Sequence, residues 1–455
     1  MTEYGYHFDY TKTMMMKMYL ATPDRKGGSD VSIDFDKALD LIKKTDALTL
    51  GVHKIIYLVG WQYNGHDDRY PEFFEVNEAL KSPGDASARD SLLRLMEEAK
   101  RYNTTVSFHI NFTDAYADSE LYGEYLAAGA LIRKPDGTPD PIEEYNGKPC
   151  YKVSFYEEWN SGLFRRRFDR FLECLPAAQT GTVHVDNFQC YYNNAPDVDI
   201  ADAQAARNQM LDYVRSRGLD VTSEFAYREG PLGRDSYNHW CMGHPEYPIA
   251  TLGRIAALWW FDNIRDDEYL EYPPQYFGGG IPHDPAFAGA FYGNIHGEHL
   301  WMGDNLKNDG WIPLFVREFC MIQLPYFYLC GHRRERIEND ASGKTAYFSG
   351  NVVSRSSDET ILENGVILKD GHSVLLPLFW RGGAYIFYSD AAYDGTRDIP
   401  GCGYSRARVS RVTASGTEFL YDTDIANGKI RLAAEAGEAL LIEPGGTRRA
   451  VPGAK

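Results

Sequence analysis

Over residues 1–335 the apolar and polar positions alternate between two textures. Short runs that are apolar nearly throughout read as strands: Met16–Ala21, Lys54–Val59, Thr105–Ile110, Thr182–Asp186 and Asp220–Phe225. Weaker runs of the same kind are Ala257–Phe261 and Pro325–Leu329. Between them Phe35–Lys44, Ala88–Tyr102, Ser161–Cys174, Ala201–Arg217 and Trp311–Ile322 space their apolar residues at helical intervals. Strands apolar on both faces and separated by helices imply a parallel sheet covered on both sides. About seven or eight such units predict a (β/α)8 TIM barrel in preference to an open sheet.

From Lys344 onward the texture changes to strands and turns. Val374–Phe379, Ala384–Tyr388, Arg406–Thr413, Glu418–Tyr421, Lys429–Ala433 and Ala439–Ile442 are punctuated by Asp370-Gly371, Gly382-Gly383 and Asp394-Gly395. This predicts a C-terminal antiparallel β-sandwich. The expected division is a barrel over 1–337, a β-sandwich over 338–445 and a frayed tail over 446–455. No sequence period of about 20–50 residues recurs, which excludes solenoids and propellers.

Composition narrows the class. With 455 residues, 44% hydrophobic and 25% charged, the chain can fill a sizeable core and is not disordered. Its 47 Lys+Arg against 65 Asp+Glu leave a net charge of −18, which argues against a nucleic-acid partner. No apolar run approaches the roughly 18 residues of a membrane span. Aromatics at 14% suit ring stacking on sugar faces and equally suit a large aromatic core. Seven cysteines, never spaced C-x-x-C, read as buried free thiols in a reducing compartment. The N-terminus lacks a basic segment followed by an apolar one, so the expected compartment is the cytoplasm, with a secreted form trimmed of its leader as the alternative.

In a barrel the chemistry lies where strands end. Asp186, in GTVHVDNFQCYYN, and Glu224, in LDVTSEFAYRE, stand 38 positions apart, about one strand–helix–strand unit. They therefore belong on neighbouring strand ends, where two carboxyls suit glycoside hydrolysis: one attacks or stabilises the anomeric carbon, the other protonates the leaving oxygen. The bland alternative is that each merely caps the following helix. A second cluster, WQYNGHDDR, offers Trp61, Gln62, Asn64, His66, Asp67, Asp68 and Arg69, a stacking face beside groups that grip hydroxyls. It reads equally as a polar loop with one half-buried Trp. A third cluster holds His109, Asn111, Asp114 and Tyr116, and later loops carry Trp240, His244, Glu298, His299 and Trp301. His296-Gly297-Glu298-His299 is not H-E-x-x-H, so no catalytic metal is expected; a structural calcium on loop carboxylates is compatible with the sequence. G-x-S-x-G is absent, and Gly278-Gly279-Gly280 is not followed by G-K-[ST], so a flexible turn is the expected role of these glycines.

Taken together the clusters are familiar. VGWQYNGHDD resembles the G-W-Q-x-x-G-H-D segment of family 101 glycoside hydrolases, the endo-α-N-acetylgalactosaminidases. FHINFTDAY is similar to that family's H-x-N-x-x-E-A-Y stretch, VHVDNF to the strand bearing its nucleophile, and SEFAY to the strand bearing its acid/base. All four agree in order and spacing over residues 50–230; family 129, with the same catalytic layout, is the nearest alternative. The resemblance implies a barrel followed by a β-sandwich, with Asp186 as nucleophile, Glu224 as acid/base and retention of the α configuration. It also implies that His66 and Asp67 bind sugar hydroxyls, that Trp61 lines the pocket, and that His109 and Asn111 join them. Asn187, Tyr227, Trp240 and Trp301 complete the candidate substrate-binding set. The resemblance implies a substrate of α-linked GalNAc, Galβ1-3GalNAc or a related galacto-configured sugar; where the family carries a tryptophan lid, EEYNGKPCYKVSF offers Tyr145 and Tyr151, which points to a shorter glycoside than the intact disaccharide or to a sugar other than GalNAc. The expected partner is a carbohydrate or glycoconjugate, with no cofactor, no nucleic acid and no membrane; sequence gives no oligomeric state. The rival classes are a barrel that binds sugar without turnover, set apart by calorimetry, and a metal-dependent hydrolase, set apart by chelation.

Overall fold

The computed structural model describes residues 5–24, 26–188, 190, 195, 197–226, 253–261, 266–276, 290, 292–293 and 297–445. The chain divides into two compact units, one of Met1–Ile42, His53–Asp284 and Asn294–Asn308, the other of Lys43–Val52, Pro285–Gly293 and Asp309–Lys455. The stretch after Asp309, placed with the barrel by sequence, thus packs with the C-terminal strands.

In the first unit β1 (Met14–Tyr19), β2 (Lys54–Val59), β3 (Thr104–Asn111), β4 (Thr182–Asp186), β5 (Asp220–Ala226) and β6 (Ile255–Phe261) lie side by side in chain order. Every pairing is parallel. Helices cover the sheet: α1 (Ala88–Lys100) packs on β3, and α2 (Ile200–Ser216) on β5. α1 starts where Ser87 accepts a hydrogen bond from the Asp90 amide, the usual serine cap. The sheet is curled. On a flat sheet β1 and β5, four strand spacings of about 4.8 Å apart, would be separated by roughly 19 Å, yet Lys17 of β1 forms an ion pair with Glu224 of β5. Only closure toward a barrel brings these side chains together. The expected (β/α)8 class holds, with six of its parallel strands among the described residues.

Residues 5–12 close the N-terminal end of this sheet. The Asp220 carboxylate, at the start of β5, accepts from the His7 amide (2.9 Å), the Phe8 amide (3.3 Å) and the Tyr10 hydroxyl (3.0 Å). The Tyr10 and Tyr57 hydroxyls both hydrogen-bond the Thr182 hydroxyl, at 3.0 and 2.7 Å. The barrel floor is therefore polar but satisfied, as buried polar groups must be.

The second unit contains α3 (Trp311–Glu318), a π turn at Phe319–Gln323 and α4 (Leu324–Cys330). Pro325–Leu329, expected as a weak strand, is helical. A short apolar run does not reveal its period, and Pro325 lies just after the π turn, inside one continuous helical run. Twelve antiparallel strands follow, from Arg334–Asp340 to Ala439–Pro444. Phe387 and Tyr393 stand on strands five places apart in the sheet order, yet their rings lie 4.9 Å apart. The sheet therefore folds over itself, as the expected sandwich does, around a core that includes Leu375, Phe387, Val409, Leu432 and Ile442. Among the described residues no helix is long and apolar enough to cross a membrane.

Candidate active site

Parallel strands alternate their side chains, so register decides which residues share one mouth. Asn111 pairs with Asp186 across β3 and β4, and His109 pairs with His184 one step below. Val185 pairs with Ser223, which carries the same register on to Asp186 and Glu224. Asn111, Asp186 and Glu224 therefore form one layer at the C-terminal strand ends, with His109 and His184 beneath it.

The carboxyls of Asp186 and Glu224 are hydrogen-bond neighbours. Burial and the adjacent Glu224 push the Asp186 carboxyl well above the usual carboxylate range, only partly countered by Lys17. Asn111 is fixed as a donor toward it. Its Oδ1 accepts from the Thr113 and Asp114 amides, at 2.7 and 2.9 Å. Its Nδ2 therefore points at Asp114 (3.0 Å) and Asp186 (3.4 Å). His109 Nε2 lies 3.8 Å from Asp186 Oδ1. Burial, with Lys17 and His66 nearby, pushes this imidazole well below its ordinary value, so it is neutral at physiological pH.

The loop after β2 supplies His66 and Asp67. Gly60 turns it with φ +74°, and a Cβ there would lie 2.1 Å from the Ala21 carbonyl oxygen, so a side chain is excluded. The His66 amide then donates to that same oxygen (2.9 Å). His66 Nε2 lies 3.6 Å from Asp67 Oδ2, and the Asp67 amide donates to the Tyr70 hydroxyl (3.1 Å). Burial raises the Asp67 carboxyl, against the pull of His66. The tip of the hairpin Pro141–Tyr145/Lys148–Lys152 is tied to this loop, Asn146 Nδ2 donating to the His66 and Asp67 carbonyls at 3.1 and 3.3 Å. Tyr145, next to that tip, is exposed.

Two of the expected pocket residues take other roles. The Trp61 ring is fully buried, packed on Phe108 (4.8 Å), Phe73 and Phe171, and its indole N–H donates to the His109 carbonyl (3.0 Å). It props His109 from behind and does not line the pocket, because an indole with its N–H satisfied gains most from burial. Trp301 is likewise fully buried. Asn187, half-buried, follows Asp186 with φ +26°. Tyr227 and Trp240 lie outside the described residues.

Sequence reasoning missed Lys17. It is the single charged residue of MMMKMY, its side chain 1% exposed, in ion-pair contact with Glu224 and 3.8 Å from Glu298. Burial alone would lower its ammonium, but Glu224, Glu298 and Asp186 more than offset this and hold it above its ordinary value. The signal was present, since a lysine inside an apolar strand must find a counter-charge. Donor atoms of His109, His184 and Glu224 lie within 4.8 Å of one another, a spacing that divalent cations favour. The Lys17 ammonium already pairs with Glu224, and a second cation there would be repelled.

The Asp186 carboxyl carries a stability cost with a definite sign. At a pH below the unfolded value of about 3.9 both states hold the proton and no penalty exists. As pH rises the unfolded carboxyl ionises while the buried one resists, and stability falls. Asp186→Asn removes the ionisation and keeps a donor toward Glu224. The variant is expected to melt a few degrees above wild type at pH 7, with the gap closing toward pH 4. Equal melting temperatures across that range would refute it.

The profile of glycoside hydrolase family 101, described as endo-alpha-N-acetylgalactosaminidase, matches residues 25–279. Among solved structures, the ligand-free α-N-acetylgalactosaminidase NagBb of Bifidobacterium bifidum is similar at 12% identity and a TM-score of 0.47, over 77% of this chain and 58% of that one. Its GalNAc complex gives 13% and 0.45, over 76% and 57%. An α-amylase of Geobacillus thermoleovorans complexed with acarbose gives 10% and 0.47, over 96% and 99%. The chain thus spans little more than half the length of the NagBb structures.

Proposed function

The chain belongs to glycoside hydrolase family 101, and from that premise we propose that it is a retaining α-glycosidase. Its proposed substrate is α-linked GalNAc, Galβ1-3GalNAc or a related galacto-configured sugar, and it needs no cofactor. The observation that carries this reading is the contact between Asp186 and Glu224 at the ends of adjacent parallel strands. Two carboxyls in one layer on adjacent strands can flank a single glycosidic bond, as both steps of a double displacement require.

In this reading Asp186 attacks the anomeric carbon while Glu224 gives its proton to the glycosidic oxygen, and the aglycone departs as an alcohol. The glycosyl ester left on Asp186 has the β configuration. Glu224, now a carboxylate, takes a proton from water, whose oxygen attacks the same carbon. The sugar leaves with its α configuration restored, and both carboxyls return to their starting states. Asn111 orients Asp186 through its amide, and His66 and Asp67 take sugar hydroxyls at the rim.

The direct experiment is a screen of α-linked chromogenic glycosides with the first product read by proton NMR. The α-anomer is expected to appear first and to mutarotate afterwards. Initial release of the β-anomer would overturn the assignment of Asp186 as nucleophile.

A further inference from the structure

Among the described residues Lys17 faces three carboxyls: Glu224 in ion-pair contact, Glu298 at 3.8 Å, and Asp186. Glu298 reaches it from a loop, its side chain 32% exposed, and the approach is built into the backbone. Gly297 has φ +90°, and a Cβ there would lie 2.8 Å from the Lys17 carbonyl oxygen, so glycine is required for this loop to close on β1.

The ammonium sits on Glu224. That favours Glu224 as the ionised member of the pair. The proton of the pair then stays with Asp186, whose burial beside Glu224 already favours the neutral form. A double displacement needs the opposite arrangement, with Asp186 ionised and Glu224 protonated. We propose that Lys17 and Glu298 are a positioning pair that decides which catalytic carboxyl holds the proton, the ammonium passing from Glu224 to Glu298 when a glycosidic oxygen arrives at Glu224. This inference rests on the roles given to Asp186 and Glu224 above. The step is balanced: one proton moves from the Asp186 carboxyl to the Glu224 carboxylate, and none enters or leaves the site. Asp186 remains as the anion that attacks, and Glu224 holds the proton that the leaving oxygen receives.

The other charged groups nearby among the described residues do not make this exchange. Lys152 is committed to Asp114 (2.7 Å) and Glu143 (3.1 Å). His109 is neutral, and Asp67 lies against His66. His184 hydrogen-bonds the Thr222 hydroxyl through Nδ1 (2.9 Å).

The test is Glu298→Gln, assayed beside wild type on benzyl and 2,4-dinitrophenyl N-acetyl-α-galactosaminides. Without its second partner the ammonium stays on Glu224, which cannot then hold the proton. The proton then stays on Asp186, so attack and protonation fail together, and kcat/KM is expected to fall at least about 100-fold on both the benzyl and the dinitrophenyl glycoside. Loss confined to the benzyl glycoside, or loss on neither, overturns the proposal. In Lys17→Met, with folding checked by melting, removal of the cation makes both carboxyls harder to ionise. The acid limb of the kcat/KM–pH profile should move up by about one pH unit or more, and an unchanged limb overturns the proposal. Inactivity of wild type on both glycosides would instead overturn the glycosidase reading, and the proton shuttle with it.

Discussion

Asp186→Ala is expected to lower kcat for an N-acetyl-α-galactosaminide by about four orders of magnitude or more, while sodium azide restores turnover and yields the β-glycosyl azide. The loss is large because the carboxylate forms the covalent bond, and nothing else in the layer among the described residues replaces it. Asn111 is a fixed donor, and His109 is a neutral imidazole 3.8 Å behind Asp186. The truncated side chain leaves room for a small anion on the face that Asp186 occupied, and attack from that face sets the product's configuration. Folding should survive, since the substitution removes a carboxyl whose ionised form burial disfavours. Chromatography and proton NMR of the azide product decide the matter. Full activity in the variant, or an α-azide from it, would remove Asp186 from the role.

Glu224→Ala is expected to fail in a different pattern. Proton donation is worth roughly 10²–10⁴ in rate, and that loss should appear in full with alkyl or sugar leaving groups and only weakly with dinitrophenolate. With an activated glycoside, azide should intercept the glycosyl ester on Asp186 and yield the α-glycosyl azide, opposite to the Asp186→Ala product. The variant also strips Lys17 of its nearest counter-charge, leaving Glu298 at 3.8 Å. A buried cation that loses its partner is strongly destabilising, so this protein should melt lower than Asp186→Ala. The same azide anomer from both variants would overturn the division of roles.

Much of this layer was legible because strands have period two and barrels place chemistry at one end. Lys54–Val59 and Thr182–Asp186 were bounded correctly by apolar continuity alone, and Asp186 and Glu224 fell on adjacent strand ends by their spacing. Lys17 was hidden because its partner lies on the fifth strand of the sheet, and only curvature joins the two. Chain order carries no measure of curvature. Trp61 and Trp301 were misread for another reason. An indole offers the same ring to a sugar or to a core, and its sequence neighbours do not say which. Phe73, Phe108 and Phe171, which enclose Trp61, come from three separate segments.

The hydrogen bonds from residues 7–10 to Asp220 bear on the opposite end of the molecule. Asp220 and Glu224 belong to the same strand, four residues apart and on the same face. What grips the foot of that strand also sets the height at which Glu224 emerges. A shortened protein beginning beyond Tyr10 would lack the fastening that holds the proton donor at its working level, although every side chain of the carboxyl layer would still be in the polypeptide.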